Sequence, residues 1–159
     1  MKRSRRSLAS LFLAALLTLQ LLALPATASG SSPESTDRAD KLASLNLFQG
    51  TGDGYQLDNI PTRMQGLVML IRLLGLGEEA LACTDTSPFT DLTWGKEYAA
   101  YAYATGLTKG TSATTFTPNG SLNAKRYVTF LLRALGYDDG AGDFSWNDAL
   151  PFSAEIGLV

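Results

Sequence analysis

The chain has 159 residues, with 13 Lys and Arg against 15 Asp and Glu, no His and one Cys. A net charge of −2 excludes a broad basic surface for nucleic acid, and a single cysteine, Cys83, excludes an internal disulfide. Without His or a Cys/His cluster there is no set of typical zinc ligands, so we expect neither a metal nor a cofactor.

Residues 1–28 have the pattern of an export signal. A basic start precedes an apolar run over Leu8–Leu24, and Ala26-Thr27-Ala28 then has the small-x-small form of a cleavage site. We expect cleavage after Ala28 and secretion. The alternative is an uncleaved anchor, because the run approaches the ~18 residues that span a bilayer. Four of the basic residues lie in this segment, so cleavage leaves nine against fifteen acidic residues and a net charge of −6.

The next segments predict a leader and two helices. Residues 29–36 are predicted to be a flexible leader, followed by a short helix over Arg38–Phe48 and a loop over Gln49–Ile60. A second helix is predicted from apolar side chains at spacings of three and four, namely Met64, Leu67, Leu70, Ile71 and Leu74. Thr62 and Gln65 form a capping box at its start, and Gly75 ends it.

The remainder predicts two further helices and two linkers, so we expect an all-α fold of about five helices. Leu76–Pro88 and Gly136–Gly142 are the predicted linkers. The third helix ends at Gly106, and its face is marked by Trp94, Tyr98, Tyr101, Ala102 and Thr105. The fourth helix covers about Asn123–Leu135, and its inward residues are Tyr127, Phe130, Leu131, Ala134 and Leu135.

A stretch of this chain occurs twice. Leu45–Gly75 corresponds to Gly106–Gly136, with an offset of 60 residues at its start and 61 at its end. Such a repeat predicts units that bury their apolar faces against one another. We divide the chain into the rear part of a first unit (37–78), a second unit (86–137) and the front of a third (143–159). The stop at Val159 predicts a fragment or a truncated gene product.

Several short motifs follow one another in a fixed order within these units. They are Phe89, Asp91 and Trp94, then Gly106-Leu107 and Gly110, then Phe116 and Pro118, and in the first unit Thr62-Arg63-Met64-Gln65 before a Leu-rich helix. This order resembles the S-layer homology module. The resemblance covers Asp37–Val159.

The resemblance implies a helical bundle of such modules with loop prongs, in a pseudo-threefold arrangement that is incomplete here. It implies a non-enzymatic, exported module that attaches to the bacterial cell wall. Its expected partner is a secondary cell-wall polysaccharide, often pyruvylated, besides other domains of a longer surface protein. We expect no nucleic acid, and no membrane partner after cleavage of the signal.

Arg63 matches the arginine of the family's T-R-A-E motif, which the resemblance implies to be a binding residue in a groove between modules. A guanidinium at a helix N-terminus suits a carboxylate or phosphate. We take Lys109 and Trp94 as candidate neighbours. The alternatives are that Arg63 is a solvated surface charge and that Trp94 is a core residue on the apolar face of its helix. In the second unit Ala124 replaces the arginine, so we expect at most one competent site.

Two other classes of function remain open. One is a structural domain that packs on a neighbouring domain or chain without binding glycan. The other is a fragment of a secreted hydrolase, against which the chain offers no Ser or Cys in a nucleophile motif. We therefore expect no catalytic residues.

Overall fold

The computed structural model of the chain describes residues 32–159, so the predicted export signal lies outside the described residues. Within 32–159 there are helices and no strand, which confirms the all-α prediction. The helices are α1 (Pro33–Ser44), α2 (Arg63–Leu73), α3 (Gly77–Leu81), α4 (Lys96–Ala104), α5 (Ala124–Ala134) and α6 (Ala149–Glu155). None of them has both the length and the apolar character that crossing a bilayer requires. The arrangement of the repeat units as a bundle stays a prediction.

Helix α1 begins earlier than the sequence pattern predicted. The side chain of Ser32 accepts a hydrogen bond from the backbone N–H of Ser35, and Pro33 occupies the first turn with its φ already helical. Glu34 adds a negative charge at the positive end of the helix dipole. Residues 33–36 are therefore helical, and their assignment to a flexible leader is wrong. The helix also ends at Ser44 rather than at Phe48.

Helix α2 has both of its predicted ends. Thr62 Oγ1 accepts from the Gln65 N–H at 3.3 Å, and Gln65 Oε1 accepts from the Thr62 N–H at 2.8 Å, which completes the capping box. At the other end Gly75 has a φ of 74°, and the N–H groups of Gly75 and Leu76 bond back to the carbonyls of Arg72 and Ile71. This pair of bonds is a Schellman motif, which glycine permits because it tolerates a positive φ.

Helix α5 repeats this construction. Its cap is Asn123, whose Oδ1 accepts from the Arg126 N–H at 2.9 Å, and Gly136 ends it with a φ of 92°. The N–H groups of Gly136 and Tyr137 return to the carbonyls of Arg133 and Leu132, as at the end of α2. Both helices have 11 residues. The prediction of the fourth helix is therefore confirmed.

Helices α3 and α4 differ from the prediction. Gly95 has a left-handed φ of 65°, so α4 begins only at Lys96. Trp94 consequently lies before the helix and is 42% exposed, and the alternative that placed it in the core is wrong. The first predicted linker contains α3, a helix of five residues that buries Ala80 completely.

Helix α2 lies at the centre of the described chain and packs against α3, α4 and α5. Helix α5 also packs against α6, so the first, second and third units share one core. The largest fully buried apolar side chains are Tyr127, Phe116, Phe130, Met64, Leu67, Leu70, Ile71 and Leu132. Burial of this set supplies the main favourable term in folding. Within residues 32–159 the core also buries the charged side chain of Arg63.

The close approach of α2 to the second unit gives a stability prediction. A Cβ atom on Gly66, in the middle of α2, would lie 2.2 Å from Cδ2 of Leu122, which is itself buried. Gly66→Ala should therefore lower the free energy of unfolding by about 1–3 kcal/mol through overpacking, although alanine has the better helix propensity. Chemical denaturation measures this change. Gly77→Ala, where the nearest atom is 3.5 Å away, is the control. A stabilised Gly66→Ala variant would contradict this packing.

Candidate functional site

Arg63 is the first residue of α2, and its backbone joins the first unit to the second. Its N–H donates to the carbonyl of Gly120 at 2.8 Å, and the N–H of Met64 donates to the carbonyl of Pro118 at 3.0 Å. The N–H of Gln65 is taken by the Thr62 cap. These three amide groups are already paired, so an anion at this helix end would have to be held by the Arg63 side chain.

The guanidinium of Arg63 packs against two aromatic rings. Its Cζ is 4.8 Å from the ring centroid of Phe116 and 4.7 Å from that of Phe130, and the residue is only 5% exposed. Nη2 donates to Thr108 Oγ1 at 3.3 Å. Nε is buried and has no hydrogen-bond partner among residues 32–159. The alternative that Arg63 is a solvated surface charge is therefore wrong.

The charge of Arg63 has no counter-ion among the described residues. Every ion pair formed between residues 32 and 159 involves another cation. Burial, together with the nearby positive charges of Arg126 and Arg133, lowers the pKa of Arg63 to about 10. The side chain thus stays cationic at neutral pH. Cation–π contacts offset part of its desolvation but use none of its N–H donors.

Asp91 holds the loop that carries one of the two rings. Its carboxylate accepts from the N–H of Phe116 at 2.9 Å and from the N–H of Thr117 at 2.7 Å. Desolvation acts to raise the pKa of Asp91, but these backbone bonds outweigh it and the net pKa lies below its ordinary value. Asp91 therefore fixes the position of Phe116 against the Arg63 guanidinium.

Lys109 has its charge engaged elsewhere. Its Nζ is 2.7 Å from Oδ1 of Asp138 and 2.9 Å from Oδ1 of Asp139. The hydrogen bonds that its ammonium donates to these two carboxylates raise the pKa of Lys109. Asp139 is also held by Arg133 through two parallel bonds of 3.0 and 2.8 Å. An anion at Lys109 would have to compete with both aspartates.

Trp94 lies near the start of α2, but no hydrogen bond or ring contact among residues 32–159 joins it to Arg63. A Cβ on the next residue, Gly95, would be 2.9 Å from Sδ of Met64, so the backbone at residues 94–95 adjoins this helix end. No hydrogen bond or ring contact within residues 32–159 joins the side chains of Arg63, Lys109 and Trp94 to one another. The structure brings the three candidates into one region through their neighbours, but does not form one cluster from them.

The sequence did not indicate Thr108 and Phe130 as neighbours of Arg63. Thr108 is 45 positions away in the chain, and Phe130 belongs to the buried face of α5, where it reads as an ordinary core residue. Phe116 belongs to a family motif, but the motif does not indicate that its ring contacts Arg63. The motif order alone carries no information about which unit meets which.

At the corresponding position of the second unit, Ala124 supplies no cation. The two following residues are basic, but both are engaged. Lys125 Nζ lies 4.9 Å from the ring of Trp146, and a guanidinium nitrogen of Arg126 donates to the carbonyl of Ser121. The structure thus has one buried, unpaired guanidinium within its described residues.

Comparison with known proteins agrees with the motif order. The S-layer homology domain model matches residues 88–123. A cell surface protein of Thermoanaerobacter kivui is 34% identical over 124 residues, which cover 75% of this chain and 16% of that protein. The middle cell wall protein of Brevibacillus brevis and the surface layer protein of Brevibacillus choshinensis are 25% and 24% identical over 123 residues each. No solved structure matches the chain.

Residues 88–123 therefore match an S-layer homology domain. The chain spans only 16%, 12% and 11% of the length of these three relatives, so most of each relative has no counterpart in it. The domain match and the names of these relatives together support a cell-wall attachment module at the cell surface.

The Arg133–Asp139 pair gives a prediction about acid stability. The bonds from Arg133, opposed by desolvation and helped by Lys109, lower the pKa of Asp139 from 3.8 to about 2. A lowered pKa stabilises the fold above the ordinary value, and this contribution disappears as the pH falls from about 4 to about 2. It amounts to about 2 kcal/mol.

The stability that the parent loses between pH 5 and pH 2 in chemical denaturation should therefore be smaller in Asp139→Asn, by about 2 kcal/mol. Glu79→Gln, an exposed carboxylate on α3, serves as the control and should keep the parent's acid profile. An unchanged acid profile in Asp139→Asn would show that the pair contributes nothing to stability.

Proposed function

We propose that this chain attaches non-covalently to an anionic secondary cell-wall polysaccharide and that Arg63 binds the negative group of that glycan. The domain match and the surface and cell-wall names of the relatives support attachment to the wall. One observation carries the assignment to Arg63. Its guanidinium is buried, charged and next to two other arginines, yet it has no acidic partner among the described residues.

The packing of Arg63 restricts the shape of the ligand group. The rings of Phe116 and Phe130 both lie against the guanidinium, at 4.8 and 4.7 Å from its Cζ, so they limit where an incoming group contacts it. The Nε–H lies in the guanidinium plane, at its edge, where it is buried and has no acceptor among residues 32–159. A planar carboxylate, such as that of a ketal-linked pyruvate, accepts two parallel N–H bonds from such an edge. A carboxylate would also supply the charge that the site lacks.

Trp94 and Lys109 complete the proposal in different ways. The half-exposed indole of Trp94 is available to stack against a sugar ring next to the anionic group. The ammonium of Lys109 contributes only if the glycan displaces Asp138 or Asp139 from it. We therefore give Arg63 the main role. With a single site, the affinity lacks the gain that several linked sites provide.

The direct test replaces the guanidinium without leaving a cavity. Arg63→Met keeps the side-chain length and removes the charge and the donors, so it should keep or raise the melting temperature. It should lose a charge-assisted bond worth roughly 1.5–3 kcal/mol, which is about tenfold to a hundredfold in affinity for the extracted wall polysaccharide. Arg38→Met, which removes an exposed arginine of α1, is the matched control with the same net charge. Calorimetry measures both variants.

Equal affinities of Arg63→Met and the parent would remove Arg63 from the proposal. Sedimentation with purified wall sacculi tests attachment itself, and binding should disappear after the non-peptidoglycan polymer has been extracted. A folded chain that never binds sacculi would favour the other class of function, a domain that packs on a neighbouring domain or chain.

A further inference from the structure

The contact between the first and second units is a joint of three backbone hydrogen bonds. The N–H groups of Arg63 and Met64 donate to the carbonyls of Gly120 and Pro118 at 2.8 and 3.0 Å. The N–H of Leu122 donates to the carbonyl of Pro61 at 2.8 Å. A helix start from one unit is thus seated on the loop of the next unit.

Because of the internal repeat, the chain contains a second loop and a second helix start that correspond to the two sides of this joint. We call residues 49–60 the first loop and residues 121–126 the α5 start. At the offset of 61, Leu57 and Asn59 in the first loop correspond to Pro118 and Gly120. Ala124 and Lys125 in the α5 start correspond to Arg63 and Met64.

The first loop has the same local geometry as the loop that already holds a helix start. Gln56 and Thr117 correspond at the offset of 61, and both have a positive φ, of 50° and 62°. Each is followed by the same turn bond, from the N–H of Asn59 to Gln56 at 3.0 Å and from that of Gly120 to Thr117 at 3.1 Å. The two loops therefore present their carbonyl groups in a similar way.

The corresponding backbone groups of the first loop and of the α5 start form no such joint within residues 32–159. The carbonyls of Leu57 and Asn59 accept no hydrogen bond from a described residue. The N–H groups of Ala124 and Lys125 donate none. The bonds that these four groups lack are those that their counterparts make in the internal joint.

The charges of the two unused halves are complementary. The first loop contains the exposed residues Asp53 and Asp58 and no basic residue. The α5 start contains Lys125 and Arg126. The loop that holds α2 differs, because residues 107–122 contain no acidic residue. An acidic loop and a basic helix start attract each other, and like charges reject the alternative pairing of two loops.

We propose that the first loop of one copy of this chain binds the α5 start of a second copy and so repeats the internal joint between molecules. The Ala124 N–H donates to the Asn59 carbonyl of the second copy, and the Lys125 N–H donates to its Leu57 carbonyl. The third bond is not repeated, because Pro61 stands at the position of Leu122 and has no N–H. Asp58 and Lys125 supply attraction in its place.

Such a contact is head-to-tail. Each copy in a pair keeps one unused first loop or one unused α5 start, so further copies add until the assembly closes on itself. This self-association does not depend on glycan binding at Arg63. In this proposal the partner of both surfaces is a second copy of the chain and not an unrelated protein.

Ala124→Pro tests the backbone part of the joint. Ala124 is the first residue of α5, where proline is well tolerated, and Asn123 before it has the extended angles φ −95° and ψ 167° that a following proline requires. The substitution removes the Ala124 N–H, which donates no hydrogen bond to any group within residues 32–159. The parent should show a mass that rises with concentration in light scattering, and Ala124→Pro should weaken this association by about tenfold at an unchanged melting temperature.

A charge exchange tests the pairing of the two surfaces. Lys125→Glu and Asp58→Lys should each weaken association by about tenfold, and the double variant, or an equimolar mixture of the two single variants, should recover it. Lys96→Glu, an exposed change of the same charge at the start of α4, should have no effect.

Two results would overturn the proposal. One is a parent chain that stays monomeric at every concentration. A longer chain whose following unit occupies the α5 start would give this same result. The other is association that Ala124→Pro, Lys125→Glu and Asp58→Lys all leave unchanged, which would place it on another surface.

Discussion

The burial of one unpaired cation, Arg63, is the constraint on which the second-unit loop and the start of α2 both depend. A guanidinium that loses its water must be compensated, and here the compensation comes from two aromatic faces and one hydroxyl rather than from an acid. Asp91 keeps Phe116 in position by accepting two amide hydrogens of its loop. The same loop takes the first amides of α2. The pocket is therefore built into the contact between two units and is not attached to the surface of either.

The stability of this fold rests on groups other than the N–H edge of the Arg63 guanidinium. The apolar faces of α2 and α5 and their glycine stops account for the core without any contribution from the edge of the guanidinium. Arg133, at the position that Arg72 has in the first unit, pairs with Asp139 and is neutralised. Arg63 is charged in a similar environment but lacks such an acid. Among the cations around this core it is the one whose electrostatic requirement an external anion would meet.

The sequence predicted what is determined locally. The ends of α2 and α5 follow from a capping residue and a glycine a fixed distance apart, so both helices were predicted close to their limits. Helix α3 was missed because five residues carry too little periodicity. Trp94 was placed on a helix because its spacing to Tyr98 fits one, whereas the left-handed Gly95 begins the helix after it. The surroundings of Arg63 depend on Thr108, Phe116 and Phe130, whose proximity only the packing of two units determines.

The central claim is that the Nε–H of Arg63 donates a hydrogen bond to an anionic group of the bound glycan. Nuclear magnetic resonance of nitrogen-labelled chain observes this group directly, and its signal is assigned as the arginine Nε–H peak that is absent in Arg63→Lys. During titration with the extracted, carboxylate-bearing wall polysaccharide, this peak should move to the position of a hydrogen-bonded group. The signals of Arg72 and Arg133 should stay in place. Binding of the polysaccharide that leaves the Arg63 Nε–H signal unchanged would contradict the account.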